Sequence, residues 1–204
     1  MNVEIRKLTP VLVEDYVQFF DTTPHDDNTD ASKCYCVCWS NVSDEGKDFS
    51  TAAKRRNIAI EYVKGGNIQG YLAYCDDKAV GWCNANTKSD CYECVSWKRF
   101  MREIDREEAS PNLKVKSVYC FVIAPEMRGK GIAGLLLERV CADAKQEGFA
   151  FVEAYPNKTF IDEARDFMGP AKLYEKFGFV LCYEAGQKLV MRKKLSSLDS
   201  CSPS

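Results

Sequence analysis

Apolar and polar positions alternate in VEIRKLT, Val3 to Thr9, the two-residue period of a half-buried strand. Leu12 to Phe20 follows with helical spacing. The next stretch, DTTPHDDNTDASKCYCVCWSN, is rich in turn formers but ends in cysteines and aromatics, so it is expected to fold over something rather than stand in water. Ser50 to Val63 predicts a helix, with Ser50 near its N-cap and Gly65 and Gly66 ending it. GYLAYCDDKAVGWCNA reads as a hairpin: Tyr71 to Cys75, a turn at Asp76 and Asp77, then Ala79 to Ala85. Residues 86 to 113 are polar and irregular, with a short helix around Trp97 to Ile104. Lys114 to Ala124 is the most strand-like run in the chain. Ile132 to Glu147 is its best helix, with Ile132, Leu135, Leu136 and Val140 on one stripe and Gly148 as the stop. FAFVEAY, Phe149 to Tyr155, is another strand. GPAKLYEKFG predicts a short helix with Pro170 in its first turn and Gly178 beyond its end. Two strands, Phe179 to Tyr183 and Lys188 to Lys193, close the pattern, and the polar tail SSLDSCSPS at 196–204 is expected to be disordered.

This succession points to a mixed, mostly antiparallel sheet of the α/β (α+β) class. The 204 residues, 46% of them hydrophobic, suit one domain with a sizeable core. A net charge of −2 gives no global field to attract nucleic acid or a membrane, and no apolar run is long enough to span a bilayer. The N-terminus lacks the apolar core of a secretory signal, so a cytoplasmic protein is expected. Of the eleven cysteines, Cys75, Cys83, Cys120, Cys141 and Cys182 sit singly among apolar residues, as buried thiols do. CYCVC at Cys34, Cys36 and Cys38 and CYEC at Cys91 and Cys94 form two clusters. The second has zinc-knuckle spacing, but C-x-C-x-C is not a common structural-zinc hairpin, so thiols lining a pocket or core are expected and no metal is assigned.

GKGIAG at Gly129, Gly131 and Gly134 matches the literal G-x-G-x-x-G pattern, and Glu153 follows at the distance of a ribose-binding carboxylate. In a Rossmann unit, however, the strand runs straight into the first glycine, and further βα units follow. Here Ala124-Pro125-Glu126-Met127-Arg128 intervene and the later units are missing. What remains is a strand, a proline-bearing loop and a glycine-rich helix start, whose free N–H groups and dipole suit a diphosphate, with Arg128 and Lys130 adding charge.

R-x-x-G-x-A at Arg128, Gly131 and Ala133, preceded by Ile123-Ala124-Pro125, resembles the acetyl-CoA motif of the GNAT superfamily of N-acetyltransferases. KLYEKFGF, Lys172 to Phe179, is similar to that family's second signature, in matching order and spacing. The resemblance is specific over residues 114 to 195 and weak before them. It implies a central sheet of about six to seven strands with helices on both faces. It also implies a single acetyltransferase domain over 1–195, with acceptor-side elements in 1–113 and the acetyl-CoA core in 114–195. The backbone of Phe121 and Ile123 would pair with the pantetheine arm, and Arg128, Gly129, Lys130, Gly131, Ile132, Ala133 and Gly134 would hold the pyrophosphate. Tyr174 would protonate the departing thiolate. The family often has an asparagine before the second signature; Phe167 to Pro170 offers none, and Asn157 is the substitute.

Acetyl transfer needs a neutral amine, a polarised carbonyl and a protonated leaving thiol. An alkyl ammonium of pKa ~10.4 costs about 4.6 kcal/mol to deprotonate at pH 7. Glu153 is the leading base candidate, against a structural role of equal weight, and a backbone N–H near Val122 would polarise the carbonyl. Tyr174 could alternatively be a core aromatic. Cys120, alternating opposite Tyr119 and Phe121, is expected to be buried rather than an acyl carrier, and His25, the single histidine, gives little support to a Ser-His-Asp system. The acceptor pocket is expected at Tyr35, Trp39, Trp82 and Tyr155, aromatic walls for a small-molecule amine or a peptide N-terminus. The expected protein is thus an acetyl-CoA-dependent N-acetyltransferase, monomer or homodimer, without nucleic-acid or membrane partners. A non-catalytic acyl-CoA sensor and a zinc-stabilised interaction protein are the competing readings.

Overall fold

The computed structural model describes residues 2–23, 30–43, 45–108, 112–162 and 165–195. His25 and the 196–204 tail lie outside them. Among the described residues, seven strands and five α-helices follow in the order β1 (Val3–Lys7), α1 (Val13–Thr22), α2 (Ala52–Lys64), β2 (Gly70–Cys75), β3 (Lys78–Thr87), α3 (Val95–Phe100), β4 (Val115–Ile123), α4 (Ile132–Gln146), β5 (Phe151–Ala154), α5 (Ala171–Lys176), β6 (Val180–Ala185) and β7 (Lys188–Lys194). They form one sheet in the order β1-β2-β3-β4-β5-β7-β6, antiparallel throughout except for the β4–β5 pair.

Local chemistry explains most boundaries. The β2–β3 turn places Asp76 and Asp77 at φ +49° and +58°, the left-handed pair that a two-residue hairpin needs to match strand twist. Thr51, not Ser50, caps α2: its side chain accepts from the Lys54 N–H at 3.2 Å. Pro170 takes the N-cap of α5 rather than its first turn. Cys94 caps α3, its Sγ accepting from the Trp97 N–H at 3.4 Å, which gives the C-x-x-C pair a structural use.

The sheet is covered on both faces. On one, α4 buries Leu136, Leu137, Val140 and Ala144 against Val118, Val152 and Ala85, with Tyr174 and Phe179 alongside. On the other, α1, α2 and α3 pack an aromatic core: Trp82 meets Tyr16 edge-on at 4.9 Å, and Trp39 stacks on Tyr119 at 4.5 Å. Two of the five single cysteines are not interior: Cys182 is exposed on β6, an edge strand, and Cys75 is half-buried at the end of β2.

Two irregularities in β4 open the sheet. Opposite β3, Asn84 pairs with Cys120 and Ala85 with Val118, so Tyr119 is the extra residue of a β-bulge. The bulge breaks the expected alternation: Tyr119 and Cys120 both pack on the aromatic face, while Val118 and Phe121 pack on the α4 face. Beside β5, pairing runs from Val115↔Phe151 to Val118↔Ala154 and stops there. Residues 119–123 of β4 therefore continue without a β5 partner, and a cleft begins at that point.

Candidate active site

The cleft is a cavity of about 590 Å³ between the unpaired end of β4, the start of α4 and α5. Phe121, Val122, Ile123, Arg128, Gly129, Gly131, Ile132, Ala133 and Gly134 line it. Gly131 occupies the N-cap of α4 at φ +82°, and no side chain caps the helix. The first-turn N–H groups thus lack an internal acceptor and form an anion cradle, reinforced by the helix dipole. Gly129 is likewise left-handed at φ +71°, and at both glycines a Cβ would meet open space. Backbone conformation, not crowding, requires glycine there. Gly134 is different: a Cβ on it would lie 2.9 Å from the Phe177 ring, so this glycine lets α5 close onto α4. Two expected residues stand outside the lining. Lys130 turns its Nζ to the Met127 Sδ at 3.8 Å, and Asn157 donates to Asp166 and accepts from Lys188 Nζ at 3.2 Å.

The segment 166–169 closes the cleft on its open side. The Phe167 carbonyl accepts the Phe121 N–H at 2.7 Å, and the next carbonyl, of Met168, accepts the Tyr174 hydroxyl. The Phe121 N–H faces the cleft; since the Ala124 N–H bonds Val80 on β3, alternation turns the Val122 N–H toward β3 as well. The amide near Val122, expected to polarise a carbonyl, thus faces β3, and the cleft-facing N–H is that of Phe121. Tyr174 is buried behind the lining, 6.5 Å from the Phe121 ring by centroids, and burial holds its hydroxyl well above the ordinary tyrosine range.

Glu153 is not placed to act as a base. It is fully buried on the aromatic face, pairing with Lys88 at 3.1 Å and with Arg192, which also pairs with Glu108 at 2.7 Å. Lys88 completes the quartet with Glu108 at 2.8 Å. Two acids and two bases neutralise one another there, and Glu153 lines neither large cavity.

On the aromatic face lies a second cavity, of about 530 Å³, lined by Cys34, Cys36, Cys38, Trp39, Phe49, Arg55, Arg99, Phe100, Cys120 and Arg165 among others. Phe167 lines both cavities and forms the wall between them, its ring 5.7 Å from that of Phe100. The CYCVC loop crosses this space with Tyr35 and Cys36 at φ +48° and +52°, two successive left-handed residues without glycine. Asn84 Nδ2 donates to Cys36 Sγ at 3.3 Å, holding the loop to β3. Cys120 reaches the cavity only because of the bulge. Its hydrogen bond with Cys36, and then burial, raise its pKa well above the usual thiol range, so it is a poor nucleophile.

A sequence profile of the acetyltransferase (GNAT) domain matches residues 66–181. The chain belongs to the GNAT acetyltransferase family. Among curated proteins, none matches it significantly. Solved structures agree in fold. A PaiA N-acetyltransferase from Thermoplasma acidophilum in complex with coenzyme A is 16% identical, with a TM-score of 0.53 over 95% of this chain and 99% of that one. A GNAT acetyltransferase from Streptococcus pneumoniae is 15% identical, with a TM-score of 0.52 over 96% of this chain and 100% of that one. A ribosomal-protein-alanine N-acetyltransferase from Brucella melitensis is 14% identical, with a TM-score of 0.51 over 94% and 99%.

In this GNAT fold only one of the four expected acceptor aromatics, Trp39, lines the second cavity. Trp82 and Tyr155 are fully buried core residues, Tyr155 stacked 5.9 Å from Tyr119 with its hydroxyl on Ser117 at 2.6 Å. Tyr35 packs near Phe20 and donates to Asp21 at 2.6 Å. Phe49, Arg55, Arg99, Phe100 and Phe167, which also line the chamber, come from separate segments with no shared motif; only the helix predicted around Trp97 to Ile104 took in two of them, Arg99 and Phe100. Among the described residues no group of three or more His, Cys, Asp or Glu side chains is arranged to hold a metal ion, and no helix is long and apolar enough to cross a membrane.

Proposed function

We propose that the protein moves an acetyl group from acetyl-CoA to an amine acceptor by direct attack, within a single domain. The observation that carries this reading is the meeting of two cavities at one side chain: an anion-cradling cleft and an aromatic, thiol-lined chamber that share Phe167 as their wall. The cleft suits a long ligand with a diphosphate at one end. The first-turn amides of α4, with Arg128 beside them, would hold the diphosphate, and the free edge of β4 at Phe121 and Ile123 would take the amide-bearing arm as an added strand.

The two groups the reaction needs are tied down by consecutive carbonyls. Phe167 takes the Phe121 N–H, the donor best placed to polarise a thioester carbonyl, and Met168 takes the Tyr174 O–H, the proton source for the departing thiolate. Withdrawal of this one segment from β4 would free both together, coupling seating of the arm to assembly of the catalytic groups. The amine nitrogen then bonds to the acetyl carbon as the carbon–sulfur bond breaks, and the sulfur leaves as thiol. No carboxylate or histidine stands among the described lining residues of the chamber, so the ammonium loses its proton to water.

Tyr174→Phe and coenzyme titration test this reading. Acetyl-CoA is expected to bind the wild type in calorimetry and to release free thiol when amines are supplied. Tyr174→Phe is expected to keep that affinity and to lose turnover about 10²-fold. Normal turnover in the variant removes the proposed acid. Binding without thiol release across a broad amine panel would identify a sensor instead of a transferase.

A further inference from the structure

The chamber on the aromatic face carries charge of one sign. Arg55, Arg99 and Arg165 line it, and among its described lining residues there is no aspartate, glutamate or histidine. Arg55 is 8% exposed and donates to main-chain carbonyls, of Lys33 at 2.8 Å, of Phe49 at 2.7 Å and of Asp30. It makes no ion pair with a described carboxylate, and these carbonyl dipoles solvate its charge beside the cavity. Arg99, near the end of α3, is exposed, and its guanidinium lies 5.1 Å from the Phe100 ring centroid. Arg165 is 71% exposed and keeps Asp162 at 3.7 Å, a loose pair that leaves most of its donors available. Between these guanidinium groups run the apolar walls of Trp39, Phe49, Phe100 and Phe167.

We propose that this chamber takes a small amine that also bears an anionic group, a carboxylate or phosphonate seated on the arginines with the amine turned toward Phe167. The inference rests on the transferase reading and names its acceptor class. Planar guanidinium groups match such anions with paired hydrogen bonds, and the same positive field repels polyamines and lysine-rich peptides. The field has a second use. A positive surround disfavours the ammonium form of the acceptor, so the arginines assist the deprotonation for which the chamber supplies no base. In the transfer, the ammonium loses two protons. One goes to solvent, and the other is accounted for on the coenzyme sulfur once the carbon–sulfur bond has broken and the nitrogen–carbon bond has formed.

The test pairs each of the common amino acids with its carboxamide, its decarboxylated amine and its aminophosphonate analogue, with spermidine alongside. Thiol release is read at saturating acetyl-CoA, and calorimetric binding is read in the presence of CoA. For the preferred side chain, the anionic members should exceed the amide and the plain amine at least about tenfold in kcat/KM and in affinity. The carboxylate and phosphonate arms decide which anion fits better. Arg99→Glu, at an exposed position that leaves the fold intact, should abolish or reverse the preference; Arg55→Gln is informative only if its circular dichroism and melting match the wild type. Equal or better handling of neutral amines or spermidine by the wild type overturns the proposal and leaves the transferase standing. Anionic amines that bind tightly, weaken in Arg99→Glu and release no thiol uphold the chamber's selectivity and remove the transferase reading. Absence of any binding by anionic amines overturns the proposal outright.

Discussion

The two larger cavities described above are nearly equal in volume, about 590 and 530 Å³, and opposite in construction. The cleft on the α4 side takes ten of its lining residues from one stretch, 121–134, and presents mainly backbone: an unpaired strand edge, left-handed glycines and an uncapped helix start. The chamber on the aromatic side draws on residues 31–39, 49–55, 95–100, 120 and 165–167, and recognises through side chains. Backbone donors fit whatever carries the common anion; side chains from scattered segments can change without disturbing them. A fold that keeps one ligand and varies the other needs this division.

The largest expected effect comes from breaking the backbone side. Gly131→Glu forces a left-handed φ on a side-chain residue, at roughly 1–2 kcal/mol, and supplies a carboxylate able to occupy the same helix-start amides. Acetyl-CoA binding should fall at least about 100-fold in calorimetry, since the strain and the competition act together. Unchanged affinity would mean that the cradle does not hold the diphosphate.

Glu153→Gln, whose effect falls on stability rather than binding, tests whether the buried quartet belongs to either cavity. Removing that charge leaves Lys88 and Arg192 facing Glu108 alone, and denaturant melts should show a loss of about 3–5 kcal/mol. The pH–rate profile should keep its shape, because no described group in the chamber acts as base and the rising limb follows the acceptor's own pKa. Loss of that limb in Glu153→Gln would restore Glu153 as the base.

The smallest effect lies at the hinge of the comparison. Lys188 Nζ sits 3.3 Å from the Met168 Sδ and 3.2 Å from the Asn157 Oδ1, beneath the segment that closes the cleft. Burial lowers its pKa to about 8. Below pH 8 the folded state must charge a desolvated amine that the unfolded chain charges freely, a penalty that fades as pH rises from 8 to 10.5. Lys188→Met should therefore be slightly more stable than wild type at pH 7, with the gap in urea midpoints closing over that range. A gap that stays constant with pH would remove the desolvation argument.

The sequence by itself determined the strands and helices, within a few residues, and the glycine-rich start of α4 that lines the cleft. Both rest on local rules: periodicity of apolar positions, caps and turn residues, and a helix start whose glycines are needed wherever the chain folds. Glu153 and three of the four expected acceptor aromatics read wrongly from sequence because burial and partner choice are not local. Lys88, Glu108 and Arg192 stand far from Glu153 in the chain but surround it in space. The bulge at Tyr119 is a property of two paired strands rather than of one, and it turns Cys120 toward the chamber; the end of the β5 pairing at Ala154 is likewise a matter of two strands. Tertiary structure decided the aromatic-face chamber for the same reason: its arginines and aromatics become neighbours only when the helices on that face have packed against the sheet.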